Sequence, residues 1–544
     1  MMMWTLTVQV GRMANVRTSK NSPLEIAEVE LDKGAIGLTL CPGKKGDSLF
    51  GGRWDRDLQS DLQSVVDSGA VAVVTLMEHD ELDLLAVAGL PESAENAGLE
   101  WYHLPIPDVG IPGGNFESHW LYTGHRLRAH LRAGRKVLIH CRGGLGRTGL
   151  VAARMLVEAG VPAASAIERV RAARRGAIET SVQANYVHGC DALTVDDAYL
   201  RHVLGCVLGG AVGDAFGYAI EFDRWTRITA KYGQGGLKEP VLQGGKLVVS
   251  DDTQMALFTL EGLTEGLNRG SSSKAILESV RQAYLRWNTT QQRQSLSRVA
   301  DARGLLAARV VYARRAPGTT CLSACAAGAK GSPEEPTNNS KGCGGVMRTA
   351  PLGLVADFDS ARTFDLAARA GAFTHGHPSG YLSAGSIAAL VREVVDGANP
   401  RDAIEKVVGL TGAWPENAET VTSVEAALRA AVHQGGSNID AIRQLGEGWV
   451  GEEALAIALY AVLVSDSFRQ MVAVAANHDG DSDSTACIAG QVWGAWQGVE
   501  SVPHAWVRRL DVLDPALAVL HAFVAAVNQV PSASRGAKGN GALE

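Results

Sequence analysis

Residues 137–156 read VLIHCRGGLGRTGLVAARML. A run of β-formers over Lys136–His140 leads into Cys141. Arg142, Gly143, Gly144, Leu145 and Gly146 then separate that thiol from Arg147 and Thr148, and an apolar helical segment follows. The pattern predicts a strand, a tight turn and a helix N-terminus. Glycines let successive backbone N–H groups face one concavity, an anion nest. The helix N-terminus adds partial positive charge there. Such a cradle stabilises a thiolate. Arg147 offers a planar fork to two phosphoryl oxygens. Cys141 is therefore expected to take a phosphoryl group as a covalent intermediate. The leaving oxygen needs an acid. Asp108, in the Pro/Gly loop PIPDVGIP (residues 105–112), is the candidate.

Working outward, strand-like Ala35–Cys41, Val71–Thr75, Trp101–Ile106 and Lys136–His140 alternate with helical Asp55–Ser68, Glu117–Ala133 and Thr148–Ala159. A basic helix, Pro162–Arg175, follows. That alternation predicts an α/β domain with a mainly parallel sheet flanked by helices. After about residue 198 helical segments dominate and strand signals are few, so the second part is expected to be all-α. The expected organisation is an N-terminal extension (1–21), an α/β domain (22–190), an all-α domain (198–530) and a polar, Gly-rich disordered tail (531–544). A Gly/Ser/Pro/Asn-rich stretch, Gly328–Gly345, is a candidate lid loop.

Length and composition bound the function. At 544 residues the chain suits two large domains or three smaller ones, given about 100–200 residues per domain. Hydrophobic residues make up 46% and charged residues 20%, which excludes disorder or a fibrous rod as the main architecture. Net charge is −7, without the basic excess of a dedicated nucleic-acid binder. The longest strongly apolar run, Ala454–Val464, is about half the ~20 residues of a membrane span. The first residues lack a signal-peptide core, and Met13 is an alternative start. Eight cysteines without a Cys-x-x-Cys pair suggest free thiols and a cytoplasmic location. Cys321 and Cys325 are the closest pair and are expected to be buried small residues.

The phosphate-cradle motif His140-Cys141-x-x-Gly144-x-x-Arg147-Thr148 resembles the cysteine-dependent dual-specificity and tyrosine phosphatases. The LPIPD loop and the segment 176–186 (GAIETSVQANY) are similar to the kinase-associated, cyclin-dependent-kinase-inhibitor-type branch. The resemblance covers roughly residues 22–190 and implies Cys141 as nucleophile, Arg147 as phosphate ligand and Asp108 as general acid. Residues 142–146 would line the phosphate site, and the Thr148 hydroxyl would assist departure of the thiolate. A phosphoprotein substrate is implied.

Two acidic clusters lie more than two hundred residues apart in the second part. Ser250-Asp251-Asp252 opens one helix and Asp481-Ser482-Asp483-Ser484 opens another. Each alone could be an ordinary helix cap. Together their four carboxylates repel unless a cation shares them. Oxygen-only donors favour Mg²⁺, Mn²⁺ or Ca²⁺ over zinc, and a bridged pair of ions fits that charge.

Six motifs occur in order: GCVLGGAVGDAFGYAIEF (205–222), SDDTQMAL (250–257), GCGGVMRTAPLG (342–353), FTHGHPSGYLSAG (373–385), GEGWVGEEALAIALYA (446–461) and GDSDSTACIAGQVWGA (480–495). This series resembles the ADP-ribosylglycohydrolases, typified by the enzyme that reactivates ADP-ribosylated dinitrogenase reductase. The resemblance implies an all-α fold with two Mg²⁺ ions, Mn²⁺ as a substitute, and removal of ADP-ribose from a modified macromolecule. Ser250, Asp251, Asp252, Asp481, Asp483 and Ser484 match metal ligands. Glu221 matches the glutamate at the mouth of that site. His375 matches a substrate-cleft histidine, and Gly344 and Gly345 fall where the backbone approaches ADP-ribose. Asp214 reads as structural. Ser250 and Ser484 replace usual threonines and keep the hydroxyl, while Cys343 stands where small or polar residues are usual. Whether Glu221 or an aspartate moves the proton is left open by the residues. The chain is thus expected to be a bifunctional hydrolase with two independent removal activities. The alternative is a reader of ADP-ribose and phosphate that does not turn over.

Overall fold

A computed structural model describes residues 16–47, 52–194, 196–292, 302–432 and 437–529. The tail 531–544 and most of the expected N-terminal extension lie outside the described residues. The chain divides into two units, Met1–Thr194 and Val195–Glu544.

In the first unit the β-rich runs form one five-stranded sheet. Its order is Ala27–Leu31, Gly34–Leu40, Lys136–Cys141, Ala70–Thr75, Glu100–His103. The first two strands pair antiparallel across a tight turn at Asp32, and the remaining three pairings are parallel. Composition hid the Ala27–Leu31 edge strand. Its glutamates 28 and 30 face solvent while Val29 and Leu31 face the core, a period-two pattern only five residues long. Three short strands, Val16–Arg17, Lys45–Asp47 and Arg53–Asp55, make a second small sheet that the sequence did not announce. The strand expected over Trp101–Ile106 stops at His103, ahead of Pro105 and Pro107. Helix Leu58–Asp67 begins at an Asp57 cap, whose Oδ1 accepts from Ser60 N at 2.8 Å. Helix Gly146–Glu158 starts directly behind the central strand Lys136–Cys141. That succession puts the cradle at the carboxyl ends of the parallel strands.

The second unit has no named strand among its described residues, only isolated bridges such as Gly342 with Val450. Its centre is a pair of helices, Asp197–Tyr218 and Ser482–Gln497. Glycines recur every fourth residue on the first, at 205, 209, 213 and 217. A Cβ at Gly213 would lie 2.1 Å from the Ala486 carbonyl oxygen, and one at Gly217 would lie 2.1 Å from that of Ser482. The two backbones therefore touch, and no side chain fits between them. This close approach places the acidic start of the second helix beside the end of the first, where Glu221 follows. Replacing Gly213 with alanine should destabilise this unit by about 1–3 kcal/mol through overpacking. By contrast, Gly409 sits exposed in helix Pro400–Gly412 with open space around it. Gly409→Ala should stabilise by about 0.5–1 kcal/mol. Denaturant unfolding of the two variants checks both signs.

Among the described residues no helix is long and apolar enough to cross a membrane. All eight cysteines are free thiols, with Cys321 and Cys325 buried as expected.

Candidate active sites

In the first unit, strand Lys136–Cys141 ends on the thiol itself. Cys141 Sγ accepts a hydrogen bond from Gly144 N at 3.2 Å. Gly144 has φ +72°, and a Cβ there would lie 2.2 Å from the Thr39 carbonyl oxygen. Only glycine closes this turn. Leu145 precedes the helix, Gly146 packs against Glu179, and Gly143 is exposed at the rim.

Arg147 is 2% exposed, and both terminal nitrogens of its guanidinium have partners. Nη1 and Nη2 donate to the two carboxylate oxygens of Glu81 at 2.6 and 2.8 Å. Nη1 also donates to the Ile106 carbonyl at 3.0 Å. Nη2 lies 2.9 Å from Asp108 Oδ1. The Cys141 turn, the arginine and the exposed loop acid therefore share one site. Burial alone would push the Glu81 carboxyl up, but the Arg147 fork outweighs it and holds the acid below its ordinary range.

Two participants escaped sequence reasoning. Glu81 aims Arg147 from 66 residues upstream in sequence. Lys44, buried and lying 4.2 Å over the Trp54 ring, donates from Nζ to the Arg142 carbonyl at 3.2 Å. Burial pulls the Lys44 amine down to about 8, against the opposing pull of nearby Cys41. No local pattern marks either residue, since each reaches the cradle from a different element.

His140 is buried, and burial lowers its pKa to about 3. Its Nε2 lies 2.8 Å from the Thr75 hydroxyl, which accepts from Trp101 Nε1 at 2.9 Å. It is thus a neutral strand anchor. The Thr148 hydroxyl is buried and has no hydrogen-bond partner among the described residues, so it is free to serve a group in the cradle.

In the second unit, helix Asp251–Asn268 and helix Ser482–Gln497 direct their acidic N-termini into one open cleft with a cavity volume of about 210 Å³. Glu221, Asp251, Asp252, Asp481, Asp483 and Ser484 all line it, as do Gly344 and His375. The Gly328–Gly345 loop contributes Gly342, Cys343 and Gly344 to its wall. Ser250 and Gly345 do not line the cleft. Ser250 caps its helix by accepting from Asp252 N at 3.1 Å, and Gly345 packs against the Gly380 carbonyl.

Asp214 accepts from Ser250 N at 2.9 Å, from Thr253 N at 3.0 Å and from the Thr253 hydroxyl. Such bonding marks it as the brace of the helix start. Burial raises its pKa to about 6 in spite of these bonds.

The cleft carboxylates are buried close to one another. Burial, and then the charges of Asp214 and of one another, pushes Asp251, Asp252 and Asp483 well above the ordinary carboxylate range. Glu221 rises to about 9 for the same reasons. Asp252 Oδ2, Asp483 Oδ1 and Glu221 Oε2 are buried without a hydrogen-bond partner among the described residues. Orphaned oxygens with hydroxyls nearby suit a hard divalent cation. Among the described residues no three His, Cys, Asp or Glu side chains already form a metal cage. The donor set fits a metal, whereas a closed coordination sphere is not preformed. Cys343 is now explained as a neighbour of that set. Its Sγ donates to Asp481 Oδ2 at 2.9 Å and accepts from Ser484 Oγ at 3.5 Å.

A family model described as ADP-ribosylglycohydrolase matches residues 195–534. The chain belongs to the ADP-ribosylglycohydrolase family. In this ADP-ribosylglycohydrolase the first unit is a fused phosphatase domain. A model described as "Polymorphic toxin system, DSP-PTPase phosphatase" matches residues 52–161. Cyclin-dependent kinase inhibitor 3 of Rattus norvegicus is 33% identical over 176 residues, which span 31% of this chain and 79% of that one. The ADP-ribosyl-dinitrogen reductase glycohydrolase of Rhodospirillum rubrum is 23% identical over 316 residues, 57% of this chain and 90% of its own. An ADP-ribosylarginine hydrolase of Serratia proteamaculans is 25% identical over 313 residues, 56% of this chain and 74% of its own.

Proposed function

We propose that this chain is a bifunctional cytoplasmic hydrolase. Its second unit releases ADP-ribose from modified protein, and its first unit hydrolyses phosphate esters on phosphoprotein. The observation that carries the first activity is the set of orphaned carboxylate oxygens on two helix N-termini facing one cleft. Asp251, Asp252, Asp481, Asp483 and Ser484 would hold Mg²⁺, with Mn²⁺ as a substitute. Ser250 would support them through its cap. Bound Mg²⁺ would orient the ribose hydroxyls and polarise a water for attack at the anomeric carbon. Glu221 lines the same cleft, with its Oε2 buried and without a hydrogen-bond partner among the described residues. Glu221 or one of the aspartates would carry the proton to the departing group as the glycosidic bond breaks through an oxocarbenium-like state. The names of the relatives favour a modified protein side chain, arginine among the candidates, as the substrate. The test is release of ADP-ribose from Arg-, Ser- and nucleic-acid-linked substrates, with chelator and with restored Mg²⁺. Release that persists undiminished in chelator overturns the metal reading. No release from any substrate with Mg²⁺ favours a reader.

In the first unit, Cys141 would attack phosphorus as Arg147 and the backbone nest of residues 142–146 hold the equatorial oxygens. The P–S bond forms as the ester P–O bond breaks, and Asp108 gives its proton to the leaving oxygen. Water then cleaves the cysteinyl phosphate, with Thr148 stabilising the departing thiolate. Asp108→Asn should cut hydrolysis of poor leaving groups by about 10²–10⁴-fold and of good ones much less, since only the former need the proton. Steady-state rates on an aryl phosphate series check this, and equal losses across the series rule Asp108 out as the acid.

A further inference from the structure

Three consecutive hydrogen-bonding groups behind the cleft set the state of its histidine. Arg348 is fully buried, with its guanidinium 4.3 Å over the Tyr284 ring. Its Nη2 donates to the Thr374 hydroxyl at 2.7 Å. That hydroxyl lies 2.8 Å from His375 Nδ1. A guanidinium only donates, so Thr374 Oγ1 must accept from it and has one proton left to give. Two acceptors are in reach, His375 Nδ1 and the Gly371 carbonyl at 3.4 Å. The carbonyl is the more distant, and it already receives the backbone N–H groups of Thr374 and His375 at 3.2 and 3.1 Å. The proton therefore goes to Nδ1, which leaves the ring hydrogen on Nε2.

The Nε2 edge faces the glycine turn of the cleft. A Cβ added at Gly344 would come within 3.1 Å of Nε2 and 2.7 Å of Cε1. Among the described residues Nε2 has no hydrogen-bond partner. We propose that Arg348 and Thr374 are positioning residues that fix His375 as a permanent neutral donor, its Nε2–H reserved for an acceptor oxygen of ADP-ribose passing Gly342–Gly344. The proposal rests on the ADP-ribose reading of the cleft. It also removes His375 from proton transfer. A second ring proton would meet the Thr374 hydroxyl proton and add charge beside Arg348.

The test is a long-range proton–nitrogen correlation spectrum of the full chain carrying nitrogen-15 histidine, with His375 assigned through His375→Gln. The expected spectrum has a protonated Nε2 and a pyridine-like Nδ1, unchanged between about pH 6 and pH 8 where an ordinary histidine titrates. ADP-ribose should shift Nε2 and leave Nδ1 nearly still. In calorimetry, Thr374→Val should weaken ADP-ribose binding about fivefold, the worth of one neutral hydrogen bond, while Thr374→Ser keeps wild-type affinity. A protonated Nδ1, an imidazolium, or equal affinity in Thr374→Val and wild type overturns the proposal. A wild-type protein that binds no ADP-ribose overturns the cleft reading and the ligand assigned here, while the spectrum still decides the tautomer.

Discussion

Cys141→Ser loses aryl phosphate hydrolysis by roughly 10⁴-fold or more, the scale on which enzymes lose a covalent step, yet retains phosphate-ester binding. A serine hydroxyl does not ionise in the cradle, so the attacking group is gone. The rest of the cradle does not depend on sulfur. Gly144 keeps its left-handed turn because the Thr39 carbonyl leaves no room for a side chain. Arg147 keeps its two bonds to Glu81. Binding is measured with a non-hydrolysable aryl phosphonate and turnover with the matching phosphate. Residual turnover near the wild-type rate removes Cys141 from the mechanism. Loss of binding together with turnover shows instead that the thiolate charge organises the nest.

Asp483→Asn abolishes ADP-ribose release and, in chelator, raises the melting temperature above that of the wild type. The two effects have one cause. Asp483 is buried among Asp252, Asp481 and Glu221, and burial followed by their charges raises its pKa far above the ordinary value. An acid whose pKa is raised on folding contributes its full stability below the unfolded value of about 4. That stability is lost as pH climbs through the folded value. Without a cation the wild type is therefore penalised increasingly as pH rises, and Glu221 extends the window to about 9. Asparagine keeps the shape and carries no charge. The advantage of the variant in chelator should grow as pH rises above about 4, the unfolded value of the aspartate. Added Mg²⁺ should raise the wild-type melting temperature more than that of the variant, because a ligand that binds only the folded form stabilises it. Scanning calorimetry in chelator and in Mg²⁺ reads both. A variant less stable than wild type at alkaline pH in chelator shows that Asp483 is satisfied without a cation.

The sequence by itself determined the parts of this protein that are local. The Cys141–Arg147 spacing is legible because a strand end, a glycine turn and a helix start fall within eight consecutive residues, and backbone geometry alone brings their groups together. The two acidic clusters are legible for the same reason, since each sits on one helix N-terminus. The period-four glycines of residues 205–217 stand in the sequence, but nothing local marks them as a contact surface. Their meaning depends on the Ser482–Gln497 backbone, which arrives from almost three hundred residues away. Tertiary structure alone decided which side chains complete each site. Glu81 and Lys44 reach the cradle from other elements, carrying no spacing that links them to Cys141. Cys343 meets Asp481, and Arg348 reaches His375 through Thr374. Ser250 also caps its own helix, a bond to Asp252 N that the folded helix start supplies. Local sequence fixes backbone direction over a few residues, whereas the partner of a buried charge is chosen by whichever distant element packing brings within about 3 Å.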